Sequence, residues 1–270
     1  MKPPIVLFRK DLDTEGELDI CSDYILTTEY RTAILPGSLV IGRYSILPFY
    51  AELERELALN GSQLINSHAQ HLYIADITNW YSDVKDYTPD TYSGWYNLPQ
   101  GSYVLKGKTN SRKHQWNTMM FAETVKDIPQ IAQRLYSDTF INQQDIVVRK
   151  YIPLKRFDTA INDLPITNEW RAFFYKTHLL SIGFYWSNFQ EHQPYDFPPS
   201  EAITLLNEVS KIVSEHTNFF VLDIAETQSG NWILIEINDG QMSGLSCNNP
   251  HELYKQLYWI LNNEDSKPYS

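Results

Sequence analysis

The chain has 270 residues, 43% of them hydrophobic and 14% aromatic, with two cysteines and a formal net charge of −11. This content excludes a disordered or disulfide-framed chain and allows one large domain or two to three small lobes. The acidic balance argues against a nucleic-acid partner.

MKPPIVLFRK is too short and too soon charged for a signal peptide, and no apolar run approaches the roughly 20 residues that span a bilayer. Cys21 and Cys247 read as free thiols in a reducing cytosol, so a cytoplasmic protein without a membrane partner is expected. No repeat recurs at a fixed period.

In chain order, PIVLFR (4–9) and SLVI (38–41) read as strands. Residues 49–59 form a helix by the spacing of Leu53 and Leu57, stopped at Asn60-Gly61, and QLIN (63–66) is a further short strand. A small α/β lobe over 1–75 follows. Residues 76–150 hold a connector and a second small lobe: strand SYVLKGK (102–108), polar loop TNSRKHQWN, helix 126–136 and strand DIVVRKYIPL (145–154), stopped by Pro153. Residues 151–270 read as an antiparallel α+β lobe. It has two strands in 168–187, a helix over 200–215, a hairpin in 219–239 and a last helix over 250–262.

The hairpin FFVLDIAETQSGNWILIEIND carries the chemistry. Folding it at Ser229-Gly230 sets Asp223 opposite Glu236, and Asn238, two residues on, shares the face of Glu236. Like charges opposite each other destabilise a sheet, and apolar strands do not carry two acids without compensation. A hard cation compensates: magnesium takes oxygen ligands, typically one or two carboxylates with phosphate oxygens and water. Asp239, Gly240 and the Ser243-Gly244 pair that follow leave room for a substrate beside the phosphates.

This hairpin resembles the C-terminal metal-binding hairpin of the ATP-grasp superfamily, and IEINDGQMSGL is most similar to the clade named for one conserved arginine and two lysines. The resemblance covers residues 100–245 and implies an ATP-grasp fold with ATP between the last two lobes. It implies magnesium on Asp223, Glu236 and Asn238, and Lys106 at the end of its strand on the α- or β-phosphate. Lys108 is then the second lysine, with Lys150 as an alternative. VVRKYIPL is the hinge strand that reads adenine, so Val148, Arg149 and Lys150 lie at the nucleotide, and only one of the two alternating cations faces the cleft. In NEWRAFF, Arg171 shares a face with Glu169 and takes the arginine role at the γ-phosphate, which suits a permanently charged bidentate fork. Ser111, Arg112, Lys113 and His114 form a basic loop that either closes over the triphosphate or is merely solvated.

His68 and His71 read as loop histidines, and Trp80, Tyr81, Trp95 and Tyr96 as packing between lobes. The function implied is an ATP-dependent carboxylate–amine ligase acting through an acyl phosphate, with Lys106 and Arg171 absorbing developing charge and small-molecule or peptide substrates. The alternatives are a nucleotide-binding regulatory protein that makes no bond, and a phosphotransferase to a hydroxyl.

Overall fold

The computed structural model of the protein describes residues 4–13 and 16–263. Its N-terminal part is a parallel sheet of Ile5–Phe8 (β1), Leu26–Thr28 (β2), Leu39–Arg43 (β3) and Gln63–Leu64 (β4), in the order β2-β1-β3-β4. Parallel neighbours need crossovers, and Glu17–Ser22 (α1) and Tyr50–Leu59 (α2) supply two of them. The uninterrupted apolar run of β1 marks a strand covered on both faces. Leu7 and Val40 pack with Leu53 and Leu57 of α2, while Val6 and Ile41 face the rest of the molecule.

His68–Ala75 (α3) and Ile77–Val84 (α4) follow. The sequence expectation put the two histidines in a loop. The structure instead starts α3 with a reciprocal cap, in which Ser67 Oγ accepts from the Gln70 N–H and Gln70 Oε1 from the Ser67 N–H. Trp80 and Val84 of α4 are buried beneath the large sheet described below, with Tyr81 against them. Trp95 instead packs into the next core, stacked on the 84%-exposed Tyr96.

The next unit is an antiparallel sheet of Thr91–Tyr92 (β5), Tyr103–Gly107 (β6), Phe121–Ala122 (β7) and Ile146–Lys150 (β8), ordered β5-β8-β6-β7. Ile128–Tyr136 (α5) closes one face over Tyr103, Leu105 and Val148. Arg156–Thr159 (β9) and Pro165–Thr167 (β10) then form a small antiparallel hairpin.

The largest sheet joins Glu169–Tyr175 (β11), His178–Phe184 (β12), Phe219–Glu226 (β13) and Trp232–Asp239 (β14) in the order β12-β11-β13-β14, all antiparallel. One face, with Trp170, Phe174 and Leu222, is buried under Ser200–Val213 (α6) and α4. The other face is divided along the strands. At one end Phe173, Tyr175, Phe219 and Val221 pack on Pro250–Asn263 (α7) and the N-terminal sheet. At the other end the same period-two positions are Glu169, Arg171 and Asp223, with Glu236 and Asn238 beside them.

Candidate active site

The charged half of that sheet face lies opposite the β6–β8 sheet, and a cavity separates them. Val104, Met120, Tyr151, Ile152, Leu164 and Ile235 give it an apolar end, while Lys106, Lys113, Glu169 and Glu236 make the other end charged. A pocket that is mostly apolar with a few convergent polar groups is the usual form of a small-molecule site.

Asp223 pairs directly with Glu236 across β13 and β14, and Val221 with Asn238. The pairing slips at Asp223/Ile224, leaving Ile235 as an extra residue on β14. Such bulges re-aim side chains beside active sites. Here Ile235 and Glu236 both line the cavity. The carbonyl of the bulged Ile235 accepts a 2.7 Å bond from Arg149.

Both carboxylates are held by protein cations. Arg171 grips Asp223 through Nε and Nη2, each at 2.8 Å, and donates to the Gly244 carbonyl at 3.0 Å. Lys106, 6% exposed, pairs with Glu236. Burial pushes the Glu236 carboxyl up, but Lys106 and Lys113 outweigh it and hold the group at about 2. Asn238 donates to Asp223 Oδ2 at 3.3 Å. Glu169 is not the surface partner of Arg171. It is 6% exposed, accepts from Thr167 Oγ1, and burial raises its pKa.

The loop after β6 brings a third cation. Lys113 Nζ donates to Tyr185 Oη at 2.9 Å and lies 4.5 Å from the ring centroid; the Arg171 guanidinium lies 4.9 Å from the same ring. Burial works against the Lys113 charge, but the Tyr185 hydroxyl, Glu169, Glu236 and Asp223 more than offset it and raise its pKa. Ser111 also lines the cavity. Arg112 turns away to Asp138 at 2.6 Å, and His114 is exposed with its carbonyl accepting from Asn162 at 2.6 Å. A second tie, Asn117 to Asp163 at 2.6 Å, holds this loop to the turn between β9 and β10.

Three expected nucleotide contacts are placed differently. Lys108, expected as the second lysine, lies one residue past the end of β6, where the strand's alternation no longer aims it, and turns to Asp76 at 3.2 Å and Asp145 at 3.6 Å outside the cavity lining. Val148, expected to act through its backbone, is paired there with Tyr92 and Leu105 on either side, and its side chain is buried in the core under α5. Lys150 is exposed, 4.0 Å from Asp90. Arg149 is the cation on the cleft face, opposite Val104, but its fork is taken up by Ile235 O and by Thr88 Oγ1 at 2.7 Å. Burial lowers its pKa to about 10, still charged at neutral pH. Tyr151 and Ile152, just past β8, line the cavity in their place.

The loop 239–244 is fixed from the N-terminal sheet. Asp239 receives Asn66 at 3.0 Å and the Gln241 N–H at 2.9 Å, and its other oxygen lies 3.0 Å from His71 Nδ1. His71 is therefore a buried partner of the strand end, which sequence spacing alone did not disclose.

A family model described as an ATP-grasp domain of the R2K clade, family 3, matches residues 93–257, more than half of the chain. The chain belongs to this ATP-grasp family. Solved ATP-grasp structures share its fold at low identity. A D-cycloserine synthetase superposes with a TM-score of 0.61 at 10% identity, covering 95% of this chain and 99% of that one. D-alanine–D-alanine ligase from Bacillus anthracis complexed with ATP gives 0.60 at 10%, covering 97% and 98%. An ATP-grasp ligase complexed with a minimal precursor, Mg and ADP gives 0.57 at 8%, covering 96% and 98%. No curated protein matches the sequence. No helix among the described residues is long and apolar enough to cross a membrane.

Proposed function

We propose that this ATP-grasp protein is an ATP-dependent carboxylate–amine ligase that forms an acyl phosphate and releases ADP and phosphate. The observation that carries the reading is the gathering of Lys106, Lys113 and Glu236 at the charged end of an otherwise apolar cavity, with the Arg171–Asp223 pair beside them on the same sheet face. Adenine occupies the apolar end, against Tyr151, Ile152 and Ile235, with the hinge contact made by backbone at the end of β8. The phosphates meet the cations. Lobes bounded near residues 75 and 150 are part of this proposal, and the segregation of the sheets along the chain supports them.

The donor set fits magnesium. Two carboxylates and one amide meet on one sheet face, the oxygen donors that a hard cation takes. Arg171 and Lys106 neutralise those carboxylates in this structure, and with the ion held there both cations would be available to phosphate oxygens. Asp223, Glu236 and Asn238 would hold the ion, which when bound neutralises phosphate charge.

A carboxylate oxygen of the donor attacks the γ-phosphorus, the bond to the β–γ bridging oxygen breaks, and ADP leaves. The amine then attacks the acyl carbon and phosphate leaves. Lys113 and Arg171, both over Tyr185, orient the donor carboxylate and take up developing charge. The test is release of phosphate, ADP and AMP from magnesium-ATP with pooled amino acids and small peptides, beside Asp223→Asn and Glu236→Gln. Acceptor-dependent phosphate with ADP, lost in both variants, is expected. AMP in place of ADP, or label transferred from the γ-phosphate to a stable acceptor, overturns it.

A further inference from the structure

A second cavity opens beyond Tyr185, walled by Ile161, Leu164, Ile166, Trp186 and Phe189. Leu164 and Trp186 also line the first cavity, so the two spaces share a wall. Tyr185 stands at the junction, with its hydroxyl on Lys113 and its ring under Arg171. The second cavity therefore has a cationic mouth and an apolar body. No aspartate, glutamate, lysine or arginine lines it among the described residues.

Two further observations point to a bound molecule. The indole N–H of Trp186 is buried and has no acceptor among the described residues, an arrangement that costs stability unless a ligand supplies an oxygen. Ile161, at the lip, is 83% exposed on a turn whose Asn162 and Asp163 adopt left-handed backbone (φ 59° each). A large apolar side chain displayed there gains by covering another apolar group.

We propose that this groove is the acyl-side subsite of the ligase, taking the apolar or aromatic substituent of the carboxylate donor. The donor carboxylate sits at the mouth, between Lys113, Arg171 and the Tyr185 hydroxyl, and its tail runs along Trp186 and Phe189. An ammonium group is repelled by that mouth, and a donor with a second charge on its tail meets no permanently charged partner within, where His114 is the wall residue among the described ones that can gain a positive charge. The assignment rests on the ligase reading above.

The test is calorimetric titration of the full chain, with magnesium and a non-hydrolysable ATP analogue present, using acetate, pentanoate, 3-phenylpropanoate and glutarate. Affinity should rise roughly fourfold per buried methylene, so pentanoate and 3-phenylpropanoate bind at least about tenfold tighter than acetate, while glutarate gains nothing. Ile161→Ser and Phe189→Ser, both partly or largely exposed, should weaken 3-phenylpropanoate about tenfold and leave acetate and the nucleotide unchanged. Affinity independent of the tail, equal binding of glutarate, no acid binding, or unchanged variants would each overturn the subsite. In parallel, ATP and hydroxylamine trap any acyl phosphate as a hydroxamate. Tail-dependent binding without hydroxamate overturns the ligase reading instead, and hydroxamate formation without tail dependence overturns only the subsite.

Discussion

Lys113→Met removes the cation that the loop delivers to Tyr185 and leaves the loop's ties to Asn162 and Asp163 in place. A unit charge about 4 Å from a phosphate oxygen is worth about 4 kcal/mol at an effective dielectric near 20. After desolvation, a charge-assisted hydrogen bond retains about 1.5–3 kcal/mol. That corresponds to a loss of about 10- to 150-fold in affinity for a magnesium-bound ATP analogue. Lys108→Met is the control, because its ammonium serves Asp76 and Asp145 outside the cavity; its binding should stay within about twofold. Calorimetry on the two variants and wild type, with melting temperatures to confirm folding, decides the matter. Wild-type affinity in Lys113→Met, or an equal loss in Lys108→Met, would refute the reasoning.

Gly183→Ala should disturb the site from behind. A Cβ there would lie 2.3 Å from the Cys247 carbonyl carbon and 2.4 Å from the Asn248 nitrogen, so the 244–248 segment that reaches Arg171 must shift. A melting temperature unchanged from wild type counts against this, since overpacking against backbone costs about 1–3 kcal/mol or more. Arg149→Lys should lose the simultaneous contacts to Ile235 O and Thr88 and lower the urea midpoint, because an ammonium cannot replace a planar fork; full retention would contradict the tie between the sheets. In magnesium-free buffer, Glu236 contributes stability that is complete above the ordinary value of 4.5 and is lost as pH falls towards its folded value of about 2. That interval corresponds to about 3 kcal/mol. The stability gap between wild type and Glu236→Gln, read from urea midpoints, should narrow by about that much over the same pH range, whereas a constant gap would exclude the effect.

The metal-strand register was legible for a reason that the sequence conceals. Counting from Ser229-Gly230 puts Asp223 opposite Glu236. The turn is in fact closed by Thr227 and Asn231 around Ser229, and the extra residue at Ile235 restores the pairing. The long elements β6, β8, β11, α6 and α7 follow from hydrophobic period, and β13 from an unbroken apolar run between turn signals. The three-residue β2 and the short β9–β10 hairpin do not, because too few positions alternate to register a period. Lys106 and Arg171 sit on strands, whose alternation fixes direction; Lys106 reaches the cavity and Arg171 the Asp223 carboxylate beside it. Lys113 sits on a loop, and its aim depends on Tyr185, distant in sequence. The side chain of Arg149 is on the cleft face, as alternation allows for one of the two cations, but only the fold discloses that the bulged Ile235 carbonyl claims it. His71 was legible as polar but not as buried, since its partner Asp239 is 168 positions away.

The loop bearing Lys113 is fastened at its far edge, where Asn117 meets Asp163 and Asn162 meets the His114 carbonyl. Neither fastening touches the cavity. With Arg112 on Asp138 and Arg134 on the Thr118 carbonyl, they make up a set of anchors separate from the groups that line the cavity. Substitutions at Asn117 or Asn162 would loosen this edge of the loop and leave the cations below it in place.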